Sequence, residues 1–276
     1  MSAVTGLEAP RVVVATAPLP AGDGPPDAEA VAALSAGERA HVARLRPGPA
    51  ARFAAARALL RATLGAEAGV APSELRLGAD PRGKLVPAGA ATGWRCNVSH
   101  TDDLAAVAVA RGVEVGIDVE RVGGRRRVLP SVLAPEEAAS VAAAGGSGPL
   151  RAEGAEEDAA NGRLAAFLRA WTRKEAFLKG VGCGLSVEPA LVAVADRGPR
   201  DGPLLLRAPA ELGDPAAWRL VDLDVGPQHV GALAVAAAAP AIVRRAPRSL
   251  GGRSPSDDRT PPSSRRTPAP GDRFAG

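Results

Sequence analysis

The sequence predicts an α+β protein whose two halves, 11–112 and 113–240, each combine short strands with one or two helices. Three observations lead there. Short apolar runs such as Arg11-Val12-Val13-Val14-Ala15 and Leu104 to Ala110 read as strands. Two longer segments, Ala50 to Ala68 and Arg163 to Gly180, carry helical periodicity. Gly/Pro-rich breaks separate these elements. The division suggests two similar α/β lobes in one chain, although no internal repeat accompanies them.

Residues 1–10 read as an N-terminal tail and Arg11–Ala15 as the opening strand, followed by a Gly/Pro/Asp loop over 21–28. Ser35 with Glu38 three residues on is a capping-box signature for a helix to about Arg46, ended by Pro47-Gly48-Pro49. The helix from Ala50 turns Phe53, Leu60 and Leu64 inward and leaves Arg52, Arg57 and Arg61 along its flanks, where a solvated face is expected. Short strands at Leu75–Leu77 and Leu85–Val86 flank the turn Asp80-Pro81-Arg82-Gly83. Trp94–Val98 is a further strand. Leu104–Ala110 is expected to pair with the next run through a hairpin at Arg111-Gly112.

That next run is Val115-Gly116-Ile117-Asp118-Val119-Glu120. As a strand it places Val115, Ile117 and Val119 on one face and Gly116, Asp118 and Glu120 on the other. The two carboxylates then stand about 7 Å apart on one side. They repel unless a cation intervenes or one takes a proton. Gly116 leaves room for something to approach the backbone.

Beyond Glu120, Arg121–Arg127 is basic and glycine-containing, and Pro135-Glu136-Glu137 opens a helix to about Ala143. Residues 144–162 lack apolar periodicity and read as a flexible insertion. Strands are expected at 190–195, 204–207, 218–224 and 230–236, and 241–276 as a disordered basic tail.

Composition narrows the function classes. The chain of 276 residues has a net charge of +4. Residues 244–276 hold eight arginines and three aspartates, a net of +5, so the first 243 residues sum to −1. The body therefore carries no global nucleic-acid surface. No run approaches the ~18 apolar residues of a membrane span, and Met1–Pro10 lacks a signal-peptide pattern. Two cysteines, Cys96 and Cys183, fit neither a zinc site nor a disulfide framework, so a reduced, cytoplasmic protein is expected. Of 34 basic residues only Lys84, Lys174 and Lys179 are lysine. In a chain this biased towards arginine, a lysine marks a place where a compact ammonium is wanted.

The long helix contains an anomaly. Its apolar stripe runs Leu164, Leu168, Trp171 and Leu178, and the position that should fill the gap is Glu175. Lys179 lies one turn further on the same side. A buried glutamate must be neutral, paired or bound to a metal. Asp118, Glu120 and Glu175 together, with no cysteine or histidine cluster, suit a hard cation such as Mg²⁺ completed by substrate phosphates. Lys179, His100, Lys84 and the helix arginines could meet those phosphates.

Three segments then match a family in order and spacing. Asn97-Val98-Ser99-His100, Val115-Gly116-Ile117-Asp118-Val119-Glu120 and Trp171-Thr172-Arg173-Lys174-Glu175-Ala176-Phe177-Leu178-Lys179 resemble the successive signatures of the 4′-phosphopantetheinyl transferases. The version is the long, monomeric, surfactin-synthetase-activating (Sfp-like) type with two pseudo-twofold-related lobes. Gly83-Lys84 and Arg52…Leu60-Arg61 agree more weakly, and Leu85 stands where the family often has proline.

The resemblance implies transfer of the phosphopantetheine arm of coenzyme A to a serine of an apo acyl or peptidyl carrier protein, releasing adenosine 3′,5′-bisphosphate. By motif, Asp118, Glu120 and Glu175 would hold Mg²⁺ and Lys179 would stabilise phosphate charge. Ser99 and His100 would contact the 3′-phosphate side of coenzyme A, and Lys84 and Arg52 would also meet it. Glu137 falls where family members often have an acid near the attacking serine, and it or a metal-bound water is expected to take the proton. Arg121–Leu133 is where an acidic carrier helix is expected to dock. Two other readings suit the same residues: a different Mg²⁺-dependent phosphotransferase or nucleotide hydrolase, and a silent carrier-protein binder.

Overall fold

The computed structural model describes residues 9–123, 127–144, 155–197 and 202–245. In chain order the first half comprises β1 (Arg11–Pro18), α1 (Ala28–Ala32), α2 (Ala36–Val42), α3 (Pro47–Ala68), β2 (Arg76–Ala79), β3 (Leu85–Ala88), β4 (Trp94–His100) and β5 (Leu104–Arg111). There follow β6 (Val115–Arg121), α4 (Pro135–Ala143), α5 (Ala155–Val181), β7 (Ala193–Asp196), β8 (Pro203–Arg207), β9 (Arg219–Leu223), β10 (His229–Val235) and β11 (Ala241–Arg245). The mixed α+β class is as the sequence predicts.

Local chemistry sets the helix ends. Ser35 and Glu38 form the anticipated capping box at α2. Pro47 opens α3, and Gly69 closes it in the left-handed region at φ 68°. Arg61 departs from expectation. It is 1% exposed, with Nε 2.7 Å from Glu38 Oε2 and Nη1 donating to the carbonyls of Pro72 and Leu75. A buried guanidinium needs this many acceptors, and the capping glutamate of α2 supplies the charged one.

Two main sheets organise the molecule. The first has the order β11-β1-β5-β4 and the second β6-β10-β9. On the first sheet Val13, Ala15, Val107 and Val109 pack under Leu59, Leu60 and Leu64 of α3. The opposite face, with Val12, Val14, Ala106, Ala108 and Ala110, joins Val115, Ile117, Val119, Leu233 and Val235 of the second sheet in one core. The other face of the second sheet packs Ala232, Ala234 and Leu220 against Phe177 and Leu178 of α5. The layers therefore run α3, first sheet, second sheet, α5, with alanine-rich strands between them.

Three expectations about boundaries are corrected. β5 and β6 do not form a hairpin: both edges of β5 are taken, by β1 and β4, so the chain crosses at Arg111-Gly112 into the second sheet, where β6 pairs with β10. Residues 155–162 belong to α5 rather than to an insertion, and the remainder of that segment, 145–154, lies outside the described residues. Ala241–Arg245 is not tail but a strand parallel to β1, with Ile242 and Val243 opposite Val12 and Val13. Residues 246–276 lie outside the described residues.

The layers close most tightly where β6 crosses α5. A Cβ on Gly116 would lie 2.8 Å from Gly180 Cα and closer still to the Ala176 carbonyl, while one on Gly180 would lie 2.7 Å from the Trp218 ring. Gly116 thus admits a helix, the approach its lack of a side chain invited. Gly116→Ala is expected to cost about 3 kcal/mol, as overpacking against backbone that cannot yield. Urea denaturation of wild type and variant measures it.

Candidate active site at the seam of β6 and α5

The face of β6 opposite the shared core points Asp118 and Glu120 towards α5, which answers with Glu175 and, one turn on, Lys179. Asp118 Oδ1 accepts from Ser99 Oγ at 2.8 Å and from Lys179 Nζ at 3.2 Å. Asp118 Oδ2 is buried with no hydrogen-bond partner, and so is Glu175 Oε1. A buried polar atom without a partner costs free energy that folding elsewhere must offset, so two of them at one seam mark a place shaped for something further.

The electrostatics agree. Burial pushes the Asp118 carboxyl above its ordinary range, opposed by Lys179 and by the hydrogen bonds from Ser99, Lys179 and the Val119 amide. Glu175 is pushed up to about 7, first by burial and then by the charge of Asp118, with Glu120 adding and Lys179 opposing. The three carboxylates are therefore close enough to feel each other. Among the described residues, however, no group of three or more His, Cys, Asp or Glu is drawn tightly enough to cage an ion. An open, all-oxygen set with two orphaned oxygens fits a hard dication that takes its other ligands from water and phosphate.

β4 holds this face in place from the other sheet. Asn97 Oδ1 accepts from the Ile117 amide at 3.0 Å, and Ser99 Oγ from the Val119 amide at 3.4 Å. β6 is an edge strand of its sheet, and these two side chains at i and i+2 satisfy its outward amides. Ser99, 9% exposed, thus joins Asp118 and the backbone of β6 through its hydroxyl. That Asn97 and Ser99 share a face was readable from the sequence; which strand they serve was not.

His100 is exposed at the end of β4, its Nδ1 3.1 Å from the Thr101 carbonyl. Arg52 of α3 reaches the same turn, 4.0 Å from Asp102. Beside it, Asp103 meets His229 Nε2 at 2.9 Å and Arg121 at 3.3 Å, tying the turn to β10 and the end of β6. No sequence signal singled out Asp103 or His229.

Two expected site residues are occupied elsewhere. Glu137 is 4% exposed. It accepts from the Ala134 amide at 2.8 Å and the Val194 amide at 2.9 Å and pairs with Lys174 Nζ at 2.6 Å. Lys174, fully buried, also donates to the Val132 and Pro189 carbonyls. Both Glu137 oxygens are thus engaged in this internal knot. Lys84 Nζ is bound to Glu114 at 2.6 Å and to the Gly180 carbonyl. Of the segment expected to dock a partner, residues 124–126 lie outside the described residues. The described part lines a cavity of about 760 Å³ with Gly123, Arg127, Arg163 and Gln228.

A model of the 4′-phosphopantetheinyl transferase superfamily matches residues 114–236, which include β6 and α5. The 4′-phosphopantetheinyl transferase HetI of Nostoc sp. (strain PCC 7120 / SAG 25.82 / UTEX 2576) is 31% identical over 212 residues, covering 74% of this chain and 79% of the relative.

Glu175, held at about 7, binds its proton more tightly folded than unfolded. Its contribution to stability is full below the ordinary glutamate range and is lost as pH rises through about 7. In chelator, the melting temperature of the wild type should therefore fall relative to Glu175→Gln between about pH 5 and pH 8, and Mg²⁺ at the upper end should restore it. Parallel curves for the two proteins would contradict the assignment. For Glu137→Gln, the broken buried pair should cost about 3 kcal/mol in denaturant unfolding. Its single-turnover rate per folded molecule at saturating carrier protein should stay unchanged.

Proposed function

Because this chain belongs to the 4′-phosphopantetheinyl transferase superfamily, we propose that it moves the 4′-phosphopantetheine group of coenzyme A onto a serine hydroxyl of an apo acyl or peptidyl carrier protein. Adenosine 3′,5′-bisphosphate is the leaving product. The observation that carries this reading is the pair of orphaned, buried oxygens, Asp118 Oδ2 and Glu175 Oε1, beside the Lys179 ammonium.

Asp118, Glu120 and Glu175 are the residues that would hold Mg²⁺. Bound there, the ion would draw charge from the oxygens of the pyrophosphate under attack. Lys179 Nζ, 23% exposed on its side chain, is the cation of the seam able to turn towards a phosphate as negative charge moves to the leaving group. Glu175 would serve mainly as a ligand: the ion would hold its carboxyl charged and spend its basicity, so the serine proton would go to water at the site. Ser99 keeps Asp118 in register through its hydroxyl, and Asn97 keeps β6 in register through the Ile117 amide. His100 at the end of β4 and Arg52 of α3, beside the β4–β5 turn, would meet the outer phosphates of coenzyme A.

The same reading makes the two halves lobes related by a pseudo-twofold axis, each a sheet with one long helix, α3 or α5, on its outer face. The chain then acts as a holo-[acyl-carrier-protein] synthase of the long, monomeric type, working in the cytoplasm.

Intact-mass analysis of apo-carriers incubated with coenzyme A and Mg²⁺ tests the proposal. The expected result is a gain of one phosphopantetheine on a serine, abolished by chelator and slowed at least about a hundredfold by Asp118→Ala. Modification that persists undiminished in that variant would remove the metal assignment. A carrier that is bound but never modified would favour a silent binder.

A further inference from the structure

Helix α5 ends at Val181, and its last carbonyls need partners. Leu178 O receives the amides of Gly182 at 2.9 Å and Cys183 at 3.2 Å. The Gly180 carbonyl, one residue beyond Lys179, is met from the other half of the molecule by Lys84 Nζ. The Lys84 stem lies over Gly182, where a Cβ would stand 3.0 Å from Lys84 Cδ. Gly182 itself has φ +81°, so the helix ends in the conformation that leaves this space open.

The ammonium is anchored on its other side as well. Glu114 Oε2 lies 2.6 Å from Lys84 Nζ, and Glu114 Oε1 accepts from the Arg95 guanidinium of β4. The Glu114 carboxyl is raised by burial, but its hydrogen bonds to Lys84 and Arg95 outweigh that and hold it below its ordinary range. Asp80 Oδ1 fixes the turn that presents the lysine, accepting from the Arg82 and Lys84 amides at 2.9 Å each. Lys84 has an 8% exposed side chain. To reach a phosphate, its ammonium would have to leave an ion pair and a helix carbonyl together.

We propose that Lys84 is a positioning residue rather than a coenzyme A ligand: with Glu114 and Arg95 it caps the C-terminus of α5 and so sets the place of Lys179 against Asp118. A cation at a helix C-terminus is favoured by the aligned peptide dipoles. This one comes from the β2–β3 turn and also pairs with Glu114, the residue before β6, so the cap also ties the start of β6 to the end of α5. The kinetic consequence rests on the transferase reading above; the cap does not.

The test uses the full chain and the variants Lys84→Met, Glu114→Gln and the double variant. Two readouts are taken: kcat and KM for coenzyme A at saturating apo-carrier, and hydrogen exchange of the Gly182 and Cys183 amides. In Lys84→Met, kcat should fall between about tenfold and a hundredfold, with KM changed by less than about twofold, and both amides should exchange faster. Glu114→Gln, which keeps the ammonium, should shift kcat and exchange the same way to a smaller extent. The double variant should be no slower than Lys84→Met alone. A phosphate-binding lysine predicts the opposite pattern: KM rises in Lys84→Met, exchange is untouched, and Glu114→Gln tightens coenzyme A by freeing the ammonium. That pattern, or unchanged exchange in both single variants, overturns the proposal. Glu114→Gln decides by itself if Lys84→Met does not fold. A wild-type chain that modifies no carrier, with exchange still quickened in the variants, would end the transferase reading and leave the cap standing.

Discussion

Asp118 sits at the seam between β6 and α5 with one oxygen bound by Ser99 and Lys179 and the other bound by nothing. A carboxylate buried this way is costly, and the surrounding structure is arranged so that the cost is met. Gly116 and Gly180 let strand and helix close to backbone contact, which brings Lys179 within reach. Ser99 comes from an edge strand of the other sheet, so the carboxylate also registers the two sheets. Asn97 repeats the contact two residues earlier through the Ile117 amide. A shift of β6 by one residue would move Asp118 into the shared apolar core, so the alternation of the strand and the position of the site are one constraint.

The three lysines separate structure from chemistry. Each is paired with a carboxylate: Lys84 with Glu114, Lys174 with Glu137, Lys179 with Asp118. In the first two pairs the ammonium is buried, at 8% and 1% side-chain exposure, and its remaining hydrogens reach main-chain carbonyls. Those pairs are satisfied and join distant elements. Lys179 is 23% exposed and faces a carboxylate with an oxygen left over. Incomplete satisfaction, rather than the presence of charge, distinguishes the candidate site from the two internal ties.

The local part of this arrangement was legible in the sequence. Period-2 alternation put Asp118 and Glu120 on one face, and the break in the apolar stripe of α5 pointed to Glu175, with Lys179 one turn on. What the sequence hid depends on contacts between distant segments. Ser99 meets Asp118 across the two sheets, and Lys84 meets a carbonyl 96 residues away, so neither role has a local pattern. Glu137 drew attention because family members often have an acid there, and its second oxygen accepts from Val194 of β7, 57 residues on. β11 was hidden inside an arginine-rich stretch, and only the free edge of β1 makes a strand of it. The first two turns of α5 lack an apolar stripe because they extend a helix already held by its packed C-terminal half.

When ionised, Asp118 and Glu175 place two negative charges beside the Lys179 ammonium. Raised affinity for protons at Asp118 and Glu175 is how the cation-free molecule relieves that imbalance. A dication would relieve it without protonation, and would return both carboxyls to their charged forms. Under the proposed function the incoming pyrophosphate brings new negative charge, which Lys179 meets at the seam while Arg52 and His100 lie at the exposed turn beyond it. The orphaned oxygens of Asp118 and Glu175 thus mark where, under the proposed function, further positive charge would sit.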